Sequence, residues 1–129
     1  MRFLLDTHAF LWTLLHKNKI TPKIWAQLEA VDNQLFLSAA SAWEIAIKVA
    51  LGKLVIPGDP AVYVPRRARQ ANILSLPVTE DHALAVRALP MHHGDPFDRL
   101  LVAQAQLESL TIVTADPQFT KYDVNCLMM

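Results

Sequence analysis

Apolar residues along this chain fall into runs of two lengths, and the two lengths alternate. The short runs are Arg2–Asp6, Gln34–Ser38, Ile73–Leu76 before Pro77, Thr111–Thr114 before Ala115-Asp116-Pro117, and Val124–Leu127. Apolar runs this short, bounded by turn residues, read as buried strands. The longer runs have helical length and composition. They are Thr21–Val31, Ala39–Leu51 ending at Gly52, Ala61–Ala71, Glu80–Leu89 and Phe97–Leu107. Their punctuation agrees: Thr21 and Thr79 suit caps, Pro22 suits a first helical turn, and Gly52 suits a helix end. Glu80 and Asp81 sit at the positive end of their helix. Pro57-Gly58-Asp59-Pro60 and Pro90–Gly94 read as loops.

Short strands alternating with helices predict an α/β fold, with one central parallel sheet of about four to five strands and helices on both faces. Crossover handedness puts the carboxyl end of every strand on one edge, and ligands of such open sheets bind there. Chemistry is therefore expected just after the strands.

Composition narrows the classes. A chain of 129 residues with 53% hydrophobic positions suits one domain over 1–129 and excludes disorder. No apolar run reaches 18 residues, so no membrane contact is expected. Asp6 and His8 interrupt the apolar start, which excludes a signal peptide. Cys126 stands alone and forms neither an internal disulfide nor a Cys-x-x-Cys zinc site, which reads as a reducing, cytoplasmic compartment. Twelve Lys+Arg balance twelve Asp+Glu. A nucleic-acid partner would have to be met by a local basic surface rather than a general excess.

Four acids stand in one kind of place. Asp6 follows the first short run, Asp116 follows Ile112-Val113-Thr114-Ala115, Glu44 lies six residues after Ser38, and Asp98 lies in the first turn of the helix behind Asp95-Pro96. Each taken singly has a local reading. Asp6 would cap a helix starting at Thr7, and Ser41-Ala42-Trp43-Glu44 fits a capping box. Asp95-Pro96 and Asp116-Pro117 fit a cap followed by Pro, and Asp98 would complement a helix dipole. Together they raise a different problem, because two carboxylates about 4 Å apart repel by roughly 4 kcal/mol at an effective dielectric near 20. A converged cluster must protonate, stay apart or hold cations. All-oxygen ligation selects Mg²⁺ or Mn²⁺, and such ions activate water against phosphodiesters. Lys48, four residues after Glu44, can pair with it, while nothing as close serves Asp6 or Asp116.

Other residues are weaker candidates. Thr7 and Thr114, beside the acids, can hydrogen-bond a carboxylate or a metal-bound water, or simply cap strand ends. His8, His16, His82, His92 and His93 are scattered and pair with no nucleophile by spacing; His8 could orient Asp6. Trp12, Trp25 and Trp43 read as core or interface residues, with base stacking as the other use. Lys48, Lys53, Arg66, Arg67, Arg69 and Arg99 are the candidate phosphate contacts.

Four segments resemble the motifs of PIN-domain proteins in order and spacing across nearly the whole chain: Leu4–Trp12, Ser38–Lys48, His93–Ala105 and Ile112–Phe119. The length is similar to the VapC-type toxins of bacterial and archaeal toxin–antitoxin pairs. The resemblance implies a PIN-like fold and an endoribonuclease using one or two Mg²⁺ or Mn²⁺ ions on Asp6, Glu44, Asp98 and Asp116, with Asp95 as an additional acid nearby. It also implies a homodimer and a cognate antitoxin, for which the basic residues above are candidate contacts. The crowding of Phe10, Leu11, Trp12, Leu14 and Leu15 suggests that this segment and Ala61–Ala71 build the dimer. Two other readings remain. A haloacid-dehalogenase-type phosphohydrolase also places Asp after its first strand, but needs a second Asp where this chain has His8. A non-catalytic α/β domain would use its acids as caps or hold a single ion.

Overall fold

In a computed structural model describing Met1–Met129, the short runs form β1 (Arg2–Leu5), β2 (Gln34–Ser38), β3 (Ile73–Leu76), β4 (Thr111–Thr114) and β5 (Cys126–Met128). All neighbouring pairs are parallel, in the order β3-β2-β1-β4-β5. The helices are α1 (Thr7–Leu15), α2 (Pro22–Glu29), α3 (Ala39–Ala50), α4 (Pro60–Gln70), α5 (Glu80–Ala85) and α6 (Pro96–Glu108). Short 3₁₀ turns cover Lys17–Lys19, Val86–Ala88 and Pro117–Lys121. The expected helix over Glu80–Leu89 thus tightens into a 3₁₀ turn after Ala85. The last strand starts two residues later than its apolar run, because Cys126 is the residue in register with Ile112.

The sheet separates two apolar layers, and alternation along each strand decides which side chain enters which. Phe3, Leu5, Leu35, Leu37, Ile73 and Val113 face a layer built with α1–α4. Leu4 and Ile112 face the other, with Leu101, Val102 and Ala105 of α6. Phe3, Leu4 and Leu5 are each at most 1% exposed, so β1 is covered on both faces as a central parallel strand requires. The apolar density of the first helix is largely absorbed inside the chain. Phe10 and Leu11 are buried, and Trp12, Leu14 and Leu15 pack against the same layer.

Local capping places the helix starts. Ser38 Oγ accepts the Ala40 N–H at 3.0 Å and starts α3 directly at the end of β2. Ser41 is therefore inside the helix, and the expected capping box at Ser41–Glu44 does not form; the Glu44 carboxylate is released from that duty. Gly52 ends the segment at φ +72, the left-handed position that a Cβ disfavours.

Candidate active site

The strand order reverses between β1 and β4, since β2 is added on one side of β1 and β4 on the other. Carboxyl ends at such a reversal leave a crevice. Asp6 leaves β1 into α1, and Asp116 follows β4 by two residues. Glu44 is in the second turn of α3 and Asp98 in the first turn of α6. The two helices meet through an edge-on contact of Trp43 with Phe97, their ring centroids 5.2 Å apart.

Each acid is held by identifiable partners. Asp6 does cap α1: its Oδ1 accepts the Ala9 N–H at 2.7 Å, while its Oδ2 accepts the Thr114 hydroxyl. Thr114 Oγ1 also accepts the Asp116 N–H at 3.0 Å, so one buried hydroxyl ties the two strand-end acids together. Asp116 Oδ1 accepts the Gln118 N–H at 2.9 Å and starts the turn over Pro117–Lys121. Glu44 is buried and engaged at both oxygens: Thr7 Oγ1 donates to Oε1 at 2.6 Å, and Lys48 Nζ lies 2.9 Å from Oε2. Asp95 Oδ1 accepts the N–H groups of Phe97 and Asp98, which makes it the cap of α6. Asp98 caps nothing, and its Oδ2 meets the His93 ring instead.

The residue not selected from the sequence is His93. Its Nε2 lies 2.9 Å from Asp98 Oδ2 and 3.0 Å from Asp116 Oδ2. His93, Asp98 and Asp116 offer ligand atoms that all lie within 4.8 Å of one another. Asp6 and Glu44 stand outside that group but close enough to act on it. Burial first, then the charges of Asp95 and Asp6, push the Asp98 carboxyl up to about 7, with His93 opposing and Glu44 adding to the rise. Asp6 is also raised, chiefly by burial, against the Thr114 and Ala9 hydrogen bonds and the charge of His8. The sequence signals for His93 are its place in the loop just before Asp95-Pro96 and at the head of the segment His93–Ala105 that resembles a PIN motif. Nothing in its spacing shows that the ring folds back between two carboxylates.

The basic candidates separate by position. Lys48 is at the site, and Lys53 and Arg66 are exposed. Arg67 stacks over Tyr63 and lines a cleft of about 620 Å³ at the amino-terminal edge, where β2 and β3 begin. Arg69 lies on the same last turn of α4. Arg99 does not present a free guanidinium. It donates to the carbonyls of Pro90, Val86 and Leu89 and to Tyr122 Oη, at 2.9 to 3.4 Å, and fastens the loop before α6. Arg99→Ala is expected to cost about 1–3 kcal/mol by leaving those acceptors unpaired, and Arg99→Lys should not restore the loss because it lacks the fork. Thermal denaturation checks both; an unchanged melting temperature in Arg99→Ala would contradict the bracing role.

This sheet order, with acids from β1, α3, α6 and the end of β4 gathered at one crevice, coincides with a match to the PIN domain over residues 3–125. The chain belongs to the PIN-domain family. Among similar proteins, Ribonuclease VapC16 of Mycobacterium tuberculosis is 50% identical over 58 residues, a stretch covering 45% of this chain. The chain matches only 40% of that relative's length. The fold of this PIN domain is similar to the crystal structure of VapBC2 from Rickettsia felis bound to a promoter DNA fragment. That similarity has a TM-score of 0.75 at 15% identity and covers 100% of this chain and 99% of that one. FitAcB from Neisseria gonorrhoeae gives a TM-score of 0.63 at 25% identity, covering 97% and 96%. No helix of this PIN domain is long and apolar enough to cross a membrane.

Proposed function

We propose that this PIN-domain protein is a metal-dependent endoribonuclease acting as the toxin of a toxin–antitoxin pair. The observation that carries the reading is the crevice itself, where four carboxylates from four elements converge and Asp98 is pushed up to about 7 by burial and by its acidic neighbours. Such a cluster lacks positive charge, since Lys48 is its one close ammonium and is already paired with Glu44. The donor set fits a hard divalent cation, Mg²⁺ or Mn²⁺, held by Asp6, Glu44, Asp98 and Asp116. Bound there, one or two such ions supply an activated water and offset charge on a phosphodiester.

The chain's own residues do the rest. Thr114 fixes the relative positions of Asp6 and Asp116, and Thr7 fixes Glu44. Lys48 balances Glu44 at the rim. Trp43, 62% exposed beside Glu44, and Phe97 beside Asp98 offer aromatic surface to an unpaired base. This favours single-stranded RNA, with Lys48, Lys53 and Arg66 as the phosphate contacts. The ribonuclease assignment of the 50%-identical relative supports RNA as substrate. The VapBC2 complex supports an antitoxin partner, which would present a cation to the acids. Exposed Leu51, Val55 and Val62, between the end of α3 and the start of α4, favour a homodimer.

The test is cleavage of a labelled single-stranded RNA by the purified chain. Internal cuts are expected with Mg²⁺ or Mn²⁺, none with EDTA, and little cutting of a DNA oligonucleotide of the same sequence. Equal cutting with EDTA would remove the metal from the reading, and preference for DNA would remove the substrate.

A further inference from the structure

His93 is seated with unusual care for a loop residue. Its backbone N–H donates to Tyr122 Oη at 2.9 Å, and its ring stands edge-on to Phe119 with centroids 6.0 Å apart. Its Nδ1 accepts the backbone N–H of Asp95 at 3.2 Å. Its Nε2 then reaches both Asp98 Oδ2 and Asp116 Oδ2. Arg99 braces the same loop through Pro90 and Tyr122.

A neutral imidazole has one N–H and one lone pair. The nitrogen that accepts a backbone N–H holds the lone pair, so Nδ1 holds it here. Nε2 therefore carries the hydrogen; it donates to Asp116 Oδ2 and lies 2.9 Å from Asp98 Oδ2. A metal-ligating imidazole needs the reverse, a lone pair toward the metal and its other N–H given to an acceptor. At Nδ1 the chain supplies a donor, the Asp95 N–H, where a ligand would need an acceptor. The surroundings of His93 thus suit a hydrogen-bond donor to the acids and not a metal ligand.

We propose that His93 is a displaceable occupant of the carboxylate crevice. Its Nε2, bonded to Asp116 after β4 and in contact with Asp98 on α6, stands between the two carboxylates as a clamp. A divalent cation taking those two oxygens must break it. The inference rests on the reading of these acids as metal ligands. Two consequences follow. His93 lowers the affinity of the crevice for its cation, because binding first costs the Nε2–H bond to the Asp116 carboxylate and the contact with Asp98. Cation binding also frees the Nε2–H at the rim of the site and loosens the tie between α6 and β4.

Calorimetric titration with Mn²⁺ of the parent, His93→Ala, His93→Gln and Asp98→Asn tests this. His93→Ala should bind Mn²⁺ about three- to tenfold more tightly than the parent, while its EDTA-treated form melts earlier. His93→Gln, which keeps a side-chain N–H donor, should lie between the two. Nitrogen-15 spectra of the parent provide a readout without any substitution. The His93 resonances should report an Nε2–H ring in EDTA, and Nε2 should keep its hydrogen when Mg²⁺ is added. Weaker Mn²⁺ binding by His93→Ala, or loss of the Nε2 hydrogen on Mg²⁺ binding, would make His93 a ligand and overturn the proposal. Unchanged affinity in both His93 variants would make it a bystander and also overturn it. If Asp98→Asn binds Mn²⁺ as the parent does, the metal site itself is misassigned, and the proposal falls with it.

Discussion

Asp98→Asn is expected to lose RNA cleavage by at least about a hundredfold while making the cation-free protein more stable. The activity loss follows from removing a ligand to an ion whose charge stabilisation is worth several kcal/mol, at about 1.4 kcal/mol per tenfold in rate. Asp6→Asn, Glu44→Gln and Asp116→Asn should lose activity in the same way. The stability gain follows from the sign of the Asp98 shift. Its carboxyl has a pKa of about 7 in the folded protein against 3.8 as the ordinary value. The stability associated with the neutral form is fully present below 3.8 and is lost as pH rises through 7. An amide is neutral throughout. In EDTA the variant should therefore melt several degrees above the parent at pH 8, and the gap should close near pH 4. Parent-like cleavage by all four variants would refute the site. A pH-independent gap would refute the account of its electrostatics.

The second large effect is stabilisation by the cation. An ion present at about 100 times its Kd, and binding only the folded chain, adds about 2.7 kcal/mol. For a chain of this size that corresponds to about 10 °C in melting temperature. Mn²⁺ should give this shift in the parent, and Asp98→Asn and Asp116→Asn should lose most of it. The comparison discriminates against the cap-only reading. Asp6, Asp95 and Asp116 do act as caps, each accepting a backbone N–H at a helix or turn start. Capping and ligation are compatible, because a cap occupies one oxygen. If the acids did nothing but cap, Mn²⁺ would leave the melting temperature nearly unchanged.

Much of this was legible in the sequence because it is local. Strand and helix identity follows from run length and period, which is why Ile73–Leu76 and Thr111–Thr114 coincide with β3 and β4 and why α4 begins within a residue of its expected start. The position of each acid after a strand or at a helix start is likewise a matter of neighbours in sequence. Strand order is not. It depends on which faces bury the most apolar surface, and the reversal at β1 and β4 that makes the crevice appears only when Val113 and Leu5 are paired across the sheet. The partner of Glu44 is tertiary in the same sense: the run boundary at Ser38 already puts Ser41 inside α3, but only packing brings Thr7, 37 residues away, to the carboxylate. Arg99, a free cation by sequence, is claimed by carbonyls of a loop that packing brings to it. His93 lies 23 residues from Asp116 along the chain, and no periodicity connects them. A hydrogen bond across that separation exists only because the sheet and α6 hold both ends still, and that convergence, not the residue list, decides what the crevice can bind.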